Sequence, residues 1–221
     1  MDNIEKEAGD LVLAKSISTG SIPEEVWLVI DRIRGWLSRE EASALYNLAK
    51  GTKSGVIVEI GSCQGRSTVA LSAGADSGSS APIYAIEPHE EFVGPLGGRF
   101  GPQDRRAFYS NMVQSGAYAN VRLINLSSEV VTPGWNLEVE LLWIDGDHRY
   151  NSVHRDLYCW KKHLARNAII VFDDAKDKNL GPASLIREEI ERGSLGLVCY
   201  VGKIAITRVR NNNQVNCYGS Q

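Results

Sequence analysis

The densest chemistry in this chain lies in two short acidic turns. W-I-D-G-D-H-R-Y carries Asp145, Asp147 and His148 together, and V-F-D-D-A sets Asp173 beside Asp174, with Asp173 standing 28 positions after Asp145. Each turn closes an apolar run. If those runs are neighbouring strands, the carboxylates converge, and like charges brought together resist ionising unless a cation offsets them. Oxygen donors, with a carboxamide or water completing the shell, suit Mg²⁺ better than zinc, so Asp145, Asp173 and Asp174 are candidate metal ligands. The evenly weighted alternative has no metal, with Asp174 as a helix cap and Asp147 as a loop acid. An imidazole exchanges protons near neutral pH, which makes His148 the candidate general base, against the alternative of a structural loop histidine, with Asp147 next in line.

A second constellation precedes these. V-E-I-G-S-C-Q-G-R-S-T places Glu59 at the end of an apolar run, Gly61 and Gly65 in a turn, and Ser67 and Thr68 at a helix start. The spacing is G-x-x-x-G rather than the G-x-G-x-x-G of dinucleotide sites, so a nicotinamide pyrophosphate is not the favoured guest. A carboxylate ahead of the turn suits the amino end of an amino-acid-like cofactor, and free N–H groups at the helix start suit its carboxylate. Glu59, Gly61, Ser62, Gly65, Ser67 and Thr68 are therefore candidate cofactor residues. The competing reading is a tight turn with a solvated Glu59. Glu87, 28 positions further on, ends the next run where an acid accepts bonds from ribose hydroxyls, the competing reading being a surface acid. Ser127 and Ser128 could pair with an adenine edge, although a serine pair in a loop is more often a plain turn. Asp145 is counted toward the cofactor as well as the metal. His89 and Glu90 read as solvated loop residues, and His154 and His163 as surface residues.

These turns need a scaffold that brings strand ends together. Short β-rich runs stand at 55–60, 82–87, 121–126, 139–144 and 168–173, and their near-continuous apolar character suits buried parallel strands. Val153, Leu157, Trp160 and Leu164 repeat at helical spacing, giving a crossover helix, and a further helix covers 182–192. L-G-L-V-C-Y and K-I-A-I-T-R-V, joined at Val201 and Gly202, read as an antiparallel hairpin. Ahead of the sheet, a helical stripe runs over 23–37, followed by a helix with Ser38 and Glu41 as capping box and Gly51 as its close. The expected fold is α/β, a doubly wound, mostly parallel seven-stranded sheet with a C-terminal antiparallel hairpin and N-terminal helices. Such sheets bind ligands at the carboxyl ends of their strands. The glycine-rich loop at 92–104 has four glycines and two prolines, which leave it few ways to build a helix or packed strand, and reads as a mobile acceptor lid.

Composition narrows the function classes. The 221 residues carry 24 Lys+Arg against 27 Asp+Glu, a net charge of -3, without a basic tract to gather nucleic acid. No apolar run approaches a membrane span, the N-terminal stretch lacks a basic, then apolar leader, and Cys63, Cys159, Cys199 and Cys217 are widely spaced. The expectation is a cytoplasmic protein with reduced thiols and a small-molecule partner, no nucleic acid and no membrane, with a homo-oligomer left open.

Taken together, E-I-G-S-C-Q-G-R-S-T and the I-D-G-D-H to F-D-D-A arrangement resemble the class I S-adenosylmethionine-dependent methyltransferases over roughly residues 38–208. The first motif resembles the cofactor turn of catechol-type O-methyltransferases. The second resembles both that group and the Mg²⁺-dependent methyltransferases of macrolide sugars. The resemblance implies a Rossmann-like methyltransferase fold, S-adenosylmethionine as cofactor, Asp145, Asp173 and Asp174 as Mg²⁺ ligands, and His148 as base. It divides the chain into an N-terminal helical extension or lid (1–50), an S-adenosylmethionine-binding domain (51–210) and a flexible tail (211–221). The catechol group has a lysine as base close to the metal acid, and none stands near Asp145 in the sequence, which turns the expected acceptor toward a sugar or natural-product hydroxyl. The alternatives are a metal-independent small-molecule methyltransferase and, in a different class, an Mg²⁺-dependent phosphoester hydrolase.

Overall fold

The structure is a computed structural model that describes residues 20–210. Residues 1–19 of the expected N-terminal extension, the flexible tail expected over 211–221, and Cys217 lie outside the described residues. Among the described residues two helices come first, α1 (Glu24–Ile30) and α2 (Arg39–Gly51). Strand β1 (Val56–Ile60) leads through the glycine turn into α3 (Arg66–Asp76) and then β2 (Ile83–Ile86). A two-residue pair, β3 (Phe92–Val93) and β4 (Arg99–Phe100), precedes α4 (Pro102–Ser115), β5 (Val121–Ile124) and the short α5 (Ser128–Val131). The rest is β6 (Val139–Ile144), α6 (Tyr150–Trp160), β7 (Leu164–Phe172), α7 (Gly181–Glu191), β8 (Cys199–Val201) and β9 (Ile204–Arg208).

Seven strands form one sheet in the order β5-β2-β1-β6-β7-β9-β8. All pairings are parallel except β7 with β9 and β9 with β8, so the expected mostly parallel sheet closes on the expected hairpin. The chain winds outward from β1 to β5, then returns to lay β6 on the other side of β1. That reversal is the switch point at which doubly wound sheets open a crevice.

Strand periodicity then assigns faces. Ile57, Leu141, Trp143 and Val171 bury into one core with Trp27, Ile30, Leu45, Leu48 and Leu71 of α1, α2 and α3. Val58, Leu142, Ile144 and Phe172 bury into a second core with Val153, Leu157 and Trp160 of α6 and Leu185 of α7. Both faces are covered, which is why these runs read as continuously apolar. Among the described residues, no helix is long and apolar enough to cross a membrane.

Three expectations are corrected. The helix expected over 23–37 stops at Ile30. Arg66 Nη1 donates to the carbonyls of Ile30 and Ile33 at 2.8 and 3.0 Å, and its Nε to that of Leu37 at 3.1 Å, so the chain unwinds around a guanidinium that takes its C-terminal carbonyls. Ile33 and Leu37 remain buried. Second, the 92–104 loop builds both a strand pair and a helix start. Gly97, at φ 81°, turns between β3 and β4, and Pro102 occupies the first turn of α4, where it costs no hydrogen bond. Third, α4 has no counterpart among the expected elements. Its only buried apolar residues are Phe108 and Met112, a stripe too thin to register as periodicity.

Candidate active site

The glycine turn and the fourth-strand turn meet at the switch point. Asp145 donates its N–H to the Ile60 carbonyl at 2.8 Å, and a Cβ on Gly61 would fall 2.2 Å from the Asp145 carbonyl oxygen. Gly61 has φ 88° as well, so only glycine lets the two turns touch. Around this contact opens a cavity of about 750 Å³. Gly61, Ser62, Ser67, Glu87, Ser127, Ser128, Asp145, His148, Asp173 and Asp174 all line it.

Three candidate cofactor residues stand behind the wall. Glu59 is fully buried, so the solvated reading fails. It follows Ile57 on the α3 side of β1, where the hydroxyls of Ser67 and Thr68 donate one bond to each carboxylate oxygen. Burial pushes its pKa up to about 7, against the pull of those two bonds. Thr68 is fully buried and directed at Glu59 rather than the cavity, while Gly65 forms the left-handed N-cap of α3 at φ 90° against Met112 and Phe108.

Glu87 lines the cavity while accepting the N–H groups of Cys63 at 3.2 Å and His89 at 3.0 Å. Two backbone donors from opposite turns hold the carboxylate still. His89 is not a solvated residue: it is buried, its Nε2 lies 2.7 Å from the Cys63 carbonyl oxygen, and its Nδ1 meets Asn125 at 3.0 Å. It staples the second-strand turn to the glycine turn. Ser128 is buried and accepts a bond from Trp160 Nε1 at 3.1 Å. Burial, with the charges of Asp104 and Glu87 beside it, pushes the Cys63 thiol up to about 12, which leaves no thiolate in the cavity at neutral pH.

The acidic turns converge as their spacing anticipates. Trp143 pairs with Val171 across β6 and β7, so Asp145 and Asp173, each two residues further on, emerge on the same face. His148 Nε2 lies 3.5 Å from Asp174, 3.8 Å from Asp145 and 4.0 Å from Asp173. Ligand atoms of Asp145, His148 and Asp173 fall within 4.8 Å of one another, and among the described residues Asp173 Oδ1 is buried without a hydrogen-bond partner. Burial at the cavity floor, together with the Asp173 charge, holds the Asp145 carboxyl well above the usual range. Asp147 is occupied elsewhere: it accepts Ser152 Oγ at 2.8 Å and Arg149 Nη1 at 2.9 Å, holding the start of α6. His154 stacks on Tyr158 at 4.2 Å and His163 reaches the Thr132 carbonyl, both half-buried and remote from these acids.

Several cavity residues were invisible in the sequence. Lys203, in the β8–β9 turn, extends its Nζ to 2.6 Å from Asp173 Oδ2 and 3.1 Å from Asp174 Oδ1. Burial alone would lower its pKa, but Asp173, Asp145 and Asp174 more than offset that and raise it. A lysine beside a turn glycine reads as surface; only the antiparallel register of β9 on β7 brings it to the acids. Arg34 stands over Trp36 and Phe100 at 5.4 and 5.8 Å and pairs with Asp104 at 3.4 Å. Asp104, the Asp of the 92–104 loop, is buried and also accepts Gln64 Nε2 at 2.8 Å, fastening α4 to the glycine turn. Phe92 and Phe100 stack at 4.8 Å, and Trp36 meets Phe100 edge-on, giving the cavity an aromatic wall. Arg149 ties that wall to the fourth-strand turn by donating to the Val93 carbonyl at 3.1 Å.

A family model described as a methyltransferase domain matches residues 58–175. Among solved structures, the SAH-bound methyltransferase PaMTH1 of Podospora anserina superposes with a TM-score of 0.67 at 18% identity, covering 93% of this chain and 97% of its own. An O-methyltransferase from Bacillus cereus in complex with SAH gives 0.61 at 17% identity, over 95% of this chain and 100% of its own. The O-methyltransferase TomG from Streptomyces achromogenes, involved in tomaymycin synthesis and solved with SAM, gives 0.58 at 14% identity, over 90% and 89%. At these identities the likeness is one of fold.

Proposed function

The chain belongs to the methyltransferase domain family, and on that premise we propose that it transfers the methyl group of S-adenosylmethionine to a hydroxyl of a small molecule. The observation that carries the reading is a single cavity lined both by the glycine turn with Glu87 and by the Asp145, His148, Asp173 and Asp174 cluster. The solved relatives that hold SAH or SAM on the same fold support the cofactor.

In this reading Glu87, already fixed by two backbone N–H groups, accepts the ribose hydroxyls, and Ser127 and Ser128 meet the adenine. Backbone groups of Gly61 and Ser62 and the start of α3 hold the methionine end. Glu59, Thr68 and Gly65 act from behind by fixing the turn. Reaction is an in-line displacement: the acceptor oxygen forms a bond to the methyl carbon as the carbon–sulfur bond breaks, and the hydroxyl proton leaves. His148 takes that proton, and the imidazolium that results lies within 3.5 to 4.0 Å of three carboxylates, which stabilise it. Alignment of donor and acceptor in the cavity supplies several kcal/mol, up to about 7–11 in favourable intramolecular systems.

A divalent cation fits the donor set. Asp145 and Asp173 offer hard oxygens beside His148, Asp174 stands 3.5 Å from the same imidazole, and Asp173 Oδ1 is a buried acceptor without a hydrogen-bond partner among the described residues. When bound, Mg²⁺ would hold neighbouring acceptor hydroxyls and make one of them more acidic. The wall formed by Trp36, Phe92 and Phe100 supports an acceptor with an apolar ring face beside its hydroxyls, such as a natural product or a sugar-bearing one.

Calorimetry with S-adenosylhomocysteine, with and without Mg²⁺, tests the proposal. Binding is expected, with NADH much weaker, and Glu87→Ala should cost roughly 1–3 kcal/mol of affinity for the loss of bonds to a charged group. No heat at millimolar cofactor would overturn it. Release of phosphate from a phosphoester without any sulfonium would point instead to the hydrolase, a reaction that leaves the glycine turn and Glu87 idle.

A further inference from the structure

The acid cluster already contains a positive charge, and the fold has gone to some length to keep it there. Lys203 is held at both of its backbone groups. Its N–H donates to Glu41 Oε1 at 2.8 Å, and its carbonyl accepts the Ala175 N–H at 3.0 Å. Glu41 is buried, and its second oxygen closes the capping box of α2 by accepting the Ser38 N–H at 2.8 Å. One carboxylate thus caps the start of a helix and pins the hairpin turn. The preceding residue must be glycine for this to work, since Gly202 has φ 54° and a Cβ there would lie 2.2 Å from Glu41 Oε1. From that anchored backbone the side chain crosses to Asp173 Oδ2 and Asp174 Oδ1, leaving Asp173 Oδ1 as the unpartnered oxygen.

We infer that Lys203 is the resident cation of this site: it shares Asp173 and Asp174 with any divalent ion and so sets how tightly that ion is held. An ammonium within bonding distance of two carboxylates neutralises charge that a metal would otherwise meet in full, and must give up at least one of those bonds when Asp174 turns to a metal. The inference rests on the proposed use of these acids for a methyl acceptor only for its meaning in turnover; the competition itself is a property of Lys203, Asp173 and Asp174.

The test is a titration with Mn²⁺ as probe, followed by electron paramagnetic resonance and by calorimetry, on the parent, Lys203→Met and Lys203→Arg. Lys203→Met should bind Mn²⁺ at least about tenfold more tightly than the parent, since it removes a unit charge at contact distance, and Lys203→Arg should stay near the parent. Equal or weaker binding by Lys203→Met, or no binding by any of the three, overturns the inference. Should Lys203→Met not fold, lysine acylation followed by mass spectrometry on the parent decides: Mn²⁺ is expected to increase labelling of Lys203, as the ammonium is displaced, and unchanged labelling overturns the inference. Calorimetry with S-adenosylhomocysteine on the same samples keeps the two readings apart, because its failure would count against the methyltransferase assignment and leave the Mn²⁺ comparison standing.

Discussion

His148 and Glu59 illustrate how much a single residue's role depends on what surrounds it. His148 reaches all three acids through Nε2, and its own carbonyl accepts the Gly181 N–H at 2.8 Å, so the imidazole is carried on a loop tied to the start of α7. His148→Ala is expected to lower the methyl-transfer rate by about 10²- to 10⁴-fold while leaving S-adenosylhomocysteine affinity nearly intact, as single-turnover kinetics and calorimetry would read separately. A harmless substitution would remove the base assignment. Asp147 would not simply inherit it, because both its oxygens are engaged by Arg149 and Ser152. Glu59 makes a pH prediction. An ordinary glutamate ionises near 4.5, and Glu59 in the folded protein does so at about 7. Between those values the unfolded chain has lost the proton that the folded protein retains. Its stabilising contribution is therefore complete below about pH 4.5 and lost as pH rises through 7. Glu59→Gln cannot ionise, so its stability relative to the parent should climb by about 1–3 kcal/mol between roughly pH 5 and pH 8, measured from urea midpoints. A difference that stays flat with pH would show that Glu59 is charged in the fold.

At the scale of elements, the site is a property of two turns that press against each other. The strands β1 and β6 end level, and the glycine at the end of β1 lets the chain leaving β6 pass at backbone contact. Gly61→Ala meets both a forbidden φ and a carbonyl that cannot move aside, and should cost about 2–5 kcal/mol by chemical denaturation together with most of the cofactor affinity. Gly134→Ala is the control, since a Cβ there meets nothing within 4 Å and its φ is not positive. Equal stability of the two variants would mean that the switch-point turn can open without loss. The same scale holds the least anticipated feature of the chain, the end of α1. Glycine and proline signals do not account for a stop at Ile30, whereas the Arg66 guanidinium from α3, reaching three carbonyls, does.

Across the whole molecule, the N-terminal helices pack into the principal core. Ile22, Trp27, Ile30, Leu45 and Leu48 share one buried cluster with Ile57, Leu71 and Trp143, and full burial of a side chain such as Ile30 contributes roughly 1.5–3 kcal/mol. A chain beginning at residue 51 is therefore expected to lack a cooperative unfolding transition, monitored by near-UV circular dichroism against urea. A sharp transition in that fragment would show that 51–210 folds alone, with 1–50 a detachable extension. Glu41 adds a second link, because the helix that it caps is also the anchor for Lys203 on the far hairpin.

What could be read from the sequence was whatever a local pattern decides. An apolar run closed by an acid marks a buried strand and its exit, which located Glu87, Asp145 and Asp173, whereas Glu59 lies inside its strand. Ser38 with Glu41 marked a capping box that the structure contains, and the break after Val201 marked the hairpin. The convergence of Asp145, Asp173 and Asp174 also followed from their strands being neighbours. Tertiary structure decided which way each acid faces and what meets it there. Parity along β1 turns Glu59 under α3, where Ser67 and Thr68 wait, whereas Glu87 meets two backbone N–H groups at the cavity. Lys203 stands 29 positions beyond Asp174, in the turn ahead of a strand whose register alone brings it back, and His89 is buried by residues from two other turns. Periodicity is a short-range property of the chain, and it says that a face will be covered. Which residue covers it is settled by packing between segments that are distant in sequence, and in this protein that packing supplies the cation among the acids.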